Sequence, residues 1–172
     1  MTDTTNETAG AGAGGEPAPA ARLLAHYTRD LSFENVAAAQ NLPQRGQPEI
    51  QVNVGMDAKN VSENRYQVSL KLNAKAKNEE ETRFITELDY VGVFELQNVK
   101  QEHVHPFLFI ECPRQLLPFA RRVISDVVRD GGFPPLLIDN IDFAQLYRQR
   151  LEQARARQQE QAGGDTGAEA NA

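Results

Sequence analysis

Residues that could do chemistry are few, and most of them lack the company that chemistry needs. Gly10, Gly12 and Gly15 in "GAGAGG" match the spacing G-x-G-x-x-G. A phosphate-binding turn of that kind needs a strand before it and a helix after it, so that peptide N–H groups converge on the anion. Here "TDTTNET" precedes the glycines and "EPAPA" follows, and neither supplies that frame. No G-x-x-x-x-G-K-[ST] occurs, which argues against ATP-driven work. His103 and His105 stand two apart before Pro106, and an extended segment would point both imidazoles one way, as a shared metal requires. A structural zinc takes four ligands, and only His26 and Cys112 remain to complete the set. Solvated or hydrogen-bonded histidines are therefore expected. Cys112, beside Pro113 and without a His–Asp set, reads as a semi-buried inert thiol. Asp126 and Asp130 lie four apart near Arg122 and Arg129, which suits surface ion pairing better than a catalytic dyad. Nothing here assembles an active site.

One constellation survives. Asp30 and Glu34 alternate on one segment, and Glu79, Glu80, Glu81, Glu87, Asp89 and Glu95 crowd another, where Arg83 is the lone basic residue between positions 79 and 95. Charged edges protect sheets from aggregation; an acidic face can also receive a basic partner.

The elements that must position these residues follow from periodicity. "HYTRDLSFE" puts Tyr27, Leu31 and Phe33 on one side and Asp30 and Glu34 on the other, a period of two that predicts a strand. "PEIQVNVGM" repeats it with Ile50, Val52 and Val54. "RYQVSLKLNAKAK" and "RFITELDYVGVFEL" follow, linked by "DAKNVSEN" and "NEEET", so four strands form an antiparallel sheet. In "CPRQLLPFARRVISDVVRDGG" the apolar residues instead recur at three and four, which predicts a helix. Pro113 fits its first turn, Pro118 should kink or delay its start, and Gly131 and Gly132 should end it. Asp142 is a helix N-cap with Gln145 three positions on, and Phe143, Leu146, Tyr147 and Leu151 form the apolar side of a second helix. The order β-β-β-β-α-α makes the class α+β.

The 172 residues hold one domain with tails. Residues 1–21 and 152–172 are too poor in apolar surface to offset their ordering entropy, so the folded part is expected over 22–151. The first basic residue is Arg22 and no apolar run precedes it, which does not fit a secretory signal. No stretch approaches a membrane span. A net charge of −6 argues against nucleic acid as a partner. The lone cysteine suits a reducing compartment.

The sequence leaves a surplus of apolar surface. Ile85, Val91 and Val93 stand opposite the Phe84 series on the last strand, and the first helix is apolar around more than half of its circumference. Two helices on one sheet face cannot cover both, so burial against other subunits, or an open groove, is implied. Between the helices, "RDGGFPPLLIDNIDF" lays out a rigid, extended apolar stretch, because two prolines preset the backbone and cannot continue a helix.

"YTRDLSFE", "PEIQVNV", "EETRFITELDYVGVFEL" and above all "CPRQLLPFARRVISDVVRDGGFPPLLIDNIDFAQLY" closely resemble the SecB-type protein-export chaperones, over roughly residues 25–150. The resemblance implies a bacterial cytosolic chaperone with no enzymatic activity and no cofactor, which binds unfolded preproteins without ATP and hands them to the SecA ATPase. It implies a dimer of dimers with helices packed between two sheets, and Leu117, Val123, Ile124 and Val127 are the expected interface residues. Contact with the zinc-bearing basic tail of SecA carries over onto Asp30, Glu34, Ile85 and Glu87, with Ile85 where the family often has Leu; the zinc belongs to the partner. The client groove is expected to have Ile50, Val52 and Val54 as its floor, Phe94 near its mouth, and the second helix, with Phe143 and Leu146, as a wall. The alternative is a SecB-like chaperone dedicated to one client such as an antitoxin.

Overall fold

A computed structural model describes residues 17–43, 46–79 and 81–164. The glycine run at 10–15 and Glu80 lie outside them. Four strands, β1 (Ala20–Glu34), β2 (Glu49–Ser62), β3 (Arg65–Asn78) and β4 (Glu81–Gln97), form one sheet in the order β1-β4-β3-β2, antiparallel throughout. The α+β class and the strand count are as expected from the alternation. β2, β3 and β4 are a meander, and β1 closes a Greek key by lying beside β4. Both β1 and β2 are sheet edges.

One face of this sheet is the core. Val68, Leu70, Leu72, Ala74 and Ala76 of β3 and Phe84, Leu88, Tyr90, Phe94 and Leu96 of β4 are all buried, and they face the helices as the period of two requires. Helix α3 (Cys112–Asp130) lies on them through Leu116, Leu117, Ala120, Ile124 and Val128. Gly92 makes this approach possible, since a Cβ there would stand 2.7 Å from Leu116 Cδ2.

Several elements differ from the sequence expectation. A four-residue helix α1 (Val36–Ala39) follows β1, capped by Asn35, whose Oδ1 accepts from the Ala38 N–H at 2.8 Å. Residues 101–111 are helical too: α2 (Gln101–Pro106) runs into a π turn (Phe107–Glu111) and on into α3. Pro113 can give no N–H to Phe109 and its ring presses on that carbonyl, a defect that a widened turn absorbs. The three prolines therefore sit inside one long helical run, and Pro118 does not delay its start. On the helix, His103 and His105 cannot face one way. His103 Nε2 lies 3.4 Å from Glu102, and His105 Nδ1 is 2.9 Å from the Tyr147 hydroxyl, its ring 4.6 Å from Phe109.

The end of α3 is divided between its glycines. Gly132 takes the positive φ of 89°, whereas Gly131 is needed for space: a Cβ would stand 2.1 Å from the Phe33 ring. The Asn35 side-chain amide donates to the Gly131 carbonyl at 2.9 Å, tying the end of β1 to the end of α3. Helix α4 (Phe143–Gly164) begins on the expected cap, with Asp142 Oδ1 accepting from the Gln145 N–H at 2.9 Å. It continues well past 151, so residues 152–164 are helical, and 152–159 are exposed throughout. No helix among the described residues is long and apolar enough to cross a membrane.

Candidate functional site

Two surfaces emerge, on opposite faces of the sheet. The first is a groove along the β2 edge. Ile50, Val52 and Val54 face the helix side, where strand pairing sets them opposite Ala76, Ala74 and Leu72. The chain from 136 to 141 runs beside them as the other wall and encloses about 400 Å³ with them. Leu136 points inward and is buried, while Leu137 is 84 % exposed, a leucine held in solvent at the rim. Pro134 and Pro135 fix this extended course. It is pinned from α3 by Arg121, which donates to the Asp139 carbonyl and, at 3.0 Å, to Asn140 Oδ1. Arg150 of α4 donates to the Met56 carbonyl at 2.7 Å, so β2 is held from both sides. At its upper end the groove continues past Ile50 into a cavity of about 370 Å³ bordered by Gly46, Phe84, Phe133 and Pro135.

The expected wall and mouth are different residues. Phe94 is fully buried under α3 and Phe143 is 1 % exposed, so both belong to the core and offer a ligand nothing. Leu146 packs on that core and does not line the groove. The wall is the 136–141 segment, and Phe143 anchors α4 behind it.

The second surface lies on the sheet face away from the helices. Glu34 pairs with Ile85, Ser32 with Glu87, and Asp30 with Asp89. Cross-strand partners share a face, so Asp30, Glu34, Ile85 and Glu87 come together, with the two strands a few ångströms apart. Of the acids on β1 and β4, Asp89 is bound by Arg29 and by the Ser69 hydroxyl at 2.6 Å, Glu95 lies 3.6 Å from Arg65, and Glu81 lies 3.8 Å from Arg83. Asp30, Glu34 and Glu87 have no ion pair among the described residues. Lys71 and Lys75 of β3 bound the patch on the far side, paired across from Asp89 and Ile85. Tyr27 joins this face too: a bulge at Arg29 shifts the alternation, so Tyr27 pairs with Val91 whereas Leu31 pairs with Leu88 on the core face. A period-of-two reading cannot see that phase change.

The expected interface residues also separate. Leu117 and Ile124 are buried by the chain's own sheet, so they have no surface for a second copy. Val123 and Val127 are half-buried, and Phe119, Leu24, Tyr27 and Leu31 are exposed apolar residues. Burial, with Glu111 adding to it, pushes the Cys112 thiol up to about 12, which makes it inert. No cluster of three or more metal-ligating side chains occurs among the described residues.

A family model described as SecB, preprotein translocase subunit SecB, matches residues 15–154. The chain is 50 % identical over 141 residues to the protein-export protein SecB of Roseobacter denitrificans, covering 80 % of this chain and 85 % of that one. It is 51 % identical over 151 residues to that of Methylocella silvestris, covering 87 % and 94 %. Among solved structures, a SecB-like chaperone of Mycobacterium tuberculosis in complex with an antitoxin peptide superimposes with a TM-score of 0.55 at 13 % identity, over 70 % of this chain and 90 % of that one. At that identity the likeness concerns the fold.

Proposed function

The chain belongs to the SecB family, and from that premise we propose that it is an ATP-independent protein-export chaperone of the bacterial cytoplasm with two working faces. The β2 groove takes extended, unfolded preproteins; the acidic face of β1 and β4 takes the basic, zinc-bearing tail of SecA. The observation that carries the first assignment is the groove itself, where Ile50, Val52 and Val54 stand across from a proline-stiffened apolar wall with Leu137 unburied. Its apolar residues accept side chains of many sequences, and the free edge of β2 offers backbone pairing to an extended segment. For the second, Asp30, Glu34 and Glu87 are acids of β1 and β4 with no ion pair among the described residues, and Ile85 gives them an apolar centre. The dedicated-client alternative is not favoured: the relatives near 50 % identity carry the export name, whereas the antitoxin-peptide complex stands at 13 %.

Assembly completes the proposal. A dimer of dimers, with helices between two sheets, would cover Phe119, Val123 and Val127 and the 15-residue unpaired edge of β1, a surface that a lone chain leaves open to aggregation. Ligands that bind only the unfolded chain compete with its folding by mass action. Refolding of a slow-folding preprotein, followed by intrinsic fluorescence, should be delayed by an equimolar amount of the protein and unaffected by ATP. Equal refolding rates with and without it would contradict the assignment.

A further inference from the structure

At the upper end of the groove sits a buried cation that one carboxylate among the described residues approaches, without hydrogen-bonding it. Ala76 pairs with Phe84 and Lys77 with Thr82, so Arg83 is the extra residue of a β-bulge in β4. A bulge re-aims a side chain, and this one turns Arg83 to the Phe84 side of the sheet, beside Phe133. Its side chain is 4 % exposed, and Nη1 has no hydrogen-bond partner among the described residues. Among the described residues the one carboxylate within ion-pair distance is Glu81 Oε2, 3.8 Å away on a half-exposed side chain and beyond hydrogen-bond reach. Two adjoining cavities, of about 370 and 430 Å³, both have Arg83 in their walls. A desolvated guanidinium is costly unless an anion meets it, and its planar fork matches a carboxylate. The first of the two cavities shares Ile50 with the apolar groove, so an extended segment lying along β2 brings its neighbouring residues to Arg83.

We propose that Arg83 forms a carboxylate subsite at the end of the groove, favouring client segments in which an Asp or Glu side chain, or a chain-terminal carboxylate, adjoins apolar residues. This rests on the groove being the client site.

Three fluorescein-labelled peptides of one apolar extended sequence test it by anisotropy. The first carries a single Glu and blocked ends, the second Gln in its place, the third that Gln with a free C-terminal carboxylate. Wild-type protein should bind the first, the third or both about tenfold tighter than the neutral peptide, about 1.4 kcal/mol; which one does so identifies the source of the carboxylate. Arg83→Met, which keeps the aliphatic packing without the charge, should bind all three alike. Equal binding by wild type, or a preference that survives in Arg83→Met, overturns the subsite while binding of the neutral peptide still upholds the groove. Failure of wild type to bind any of the three overturns both. Should Arg83→Met not fold, the wild-type comparison decides alone, and Arg83→Lys should retain only part of the preference because a point charge replaces the fork.

Discussion

Reversing Asp30 and Glu87 together, as Asp30→Lys with Glu87→Lys, should weaken SecA-tail binding without touching the fold. Both side chains are exposed, and their partners across the strands are Asp89, Ser32 and Asn73. No packing is removed, and a lysine at 30 would face Asp89 in place of a like charge, which is neutral or mildly favourable. Thermal stability should stay within about 0.5 kcal/mol of wild type. The effect on binding is larger. Each exposed carboxylate contributes roughly 0.2–1 kcal/mol to a basic partner, and each reversal adds repulsion of similar size. Two positions together cost about 1–4 kcal/mol, a loss between fivefold and several hundredfold. Calorimetry at low salt, with the isolated zinc-loaded tail of SecA titrated into the double variant, measures it directly. The loss should shrink at 0.5 M salt, where exposed charges are screened over a few ångströms. An affinity within twofold of wild type at low salt refutes the assignment and leaves these acids as a solvated sheet edge.

Val123→Glu should lower the solution mass by light scattering while circular dichroism stays native, because Val123 is half-buried in the lone chain; Ile124→Asp should unfold it, since that carboxylate would be desolvated with no partner. Cys112 should react with Ellman's reagent at pH 8 at least a hundredfold slower than in the denatured chain. Its raised pKa also has a sign for stability: the unfolded thiol ionises first, so stability is unaffected below about pH 8.5 and falls as pH climbs toward 12, by less in Cys112→Ala. Asp142→Ala should cost about 1 kcal/mol through loss of the α4 cap, seen as a lower melting temperature.

The sheet and the α3 helix were legible because their apolar positions keep one period over many residues. What the sequence hid lies where a single residue breaks the period. The bulges at Arg29 and Arg83 change which side a residue faces without changing composition, so alternation alone sets Tyr27 with Leu31 and Phe33 and gives no sign that Arg83 is buried. The helical start at 101–111 escaped because Pro106 and Pro113 suggest interruption, and a π turn absorbs them instead. Burial depth escaped too: Phe94, Phe143, Leu117 and Ile124 are apolar residues on the right elements, but how far each reaches into the core depends on packing that spacing does not encode. The acids of β1 and β4 stand out in the sequence by alternation, but only strand pairing shows which of them have no ion pair among the described residues.

The central claim is that client capture and SecA binding occupy separate faces, and Val52→Asp separates them most directly. Val52 lies in the apolar floor of the groove, half-buried on an edge strand and on the face opposite the acidic patch. Stopped-flow capture of a labelled, denatured preprotein, paired with SecA-tail titration of the same sample, reads both faces at once. The expected result is capture weakened at least tenfold with tail affinity unchanged. Capture equal to wild type in a natively folded Val52→Asp variant would contradict the groove assignment.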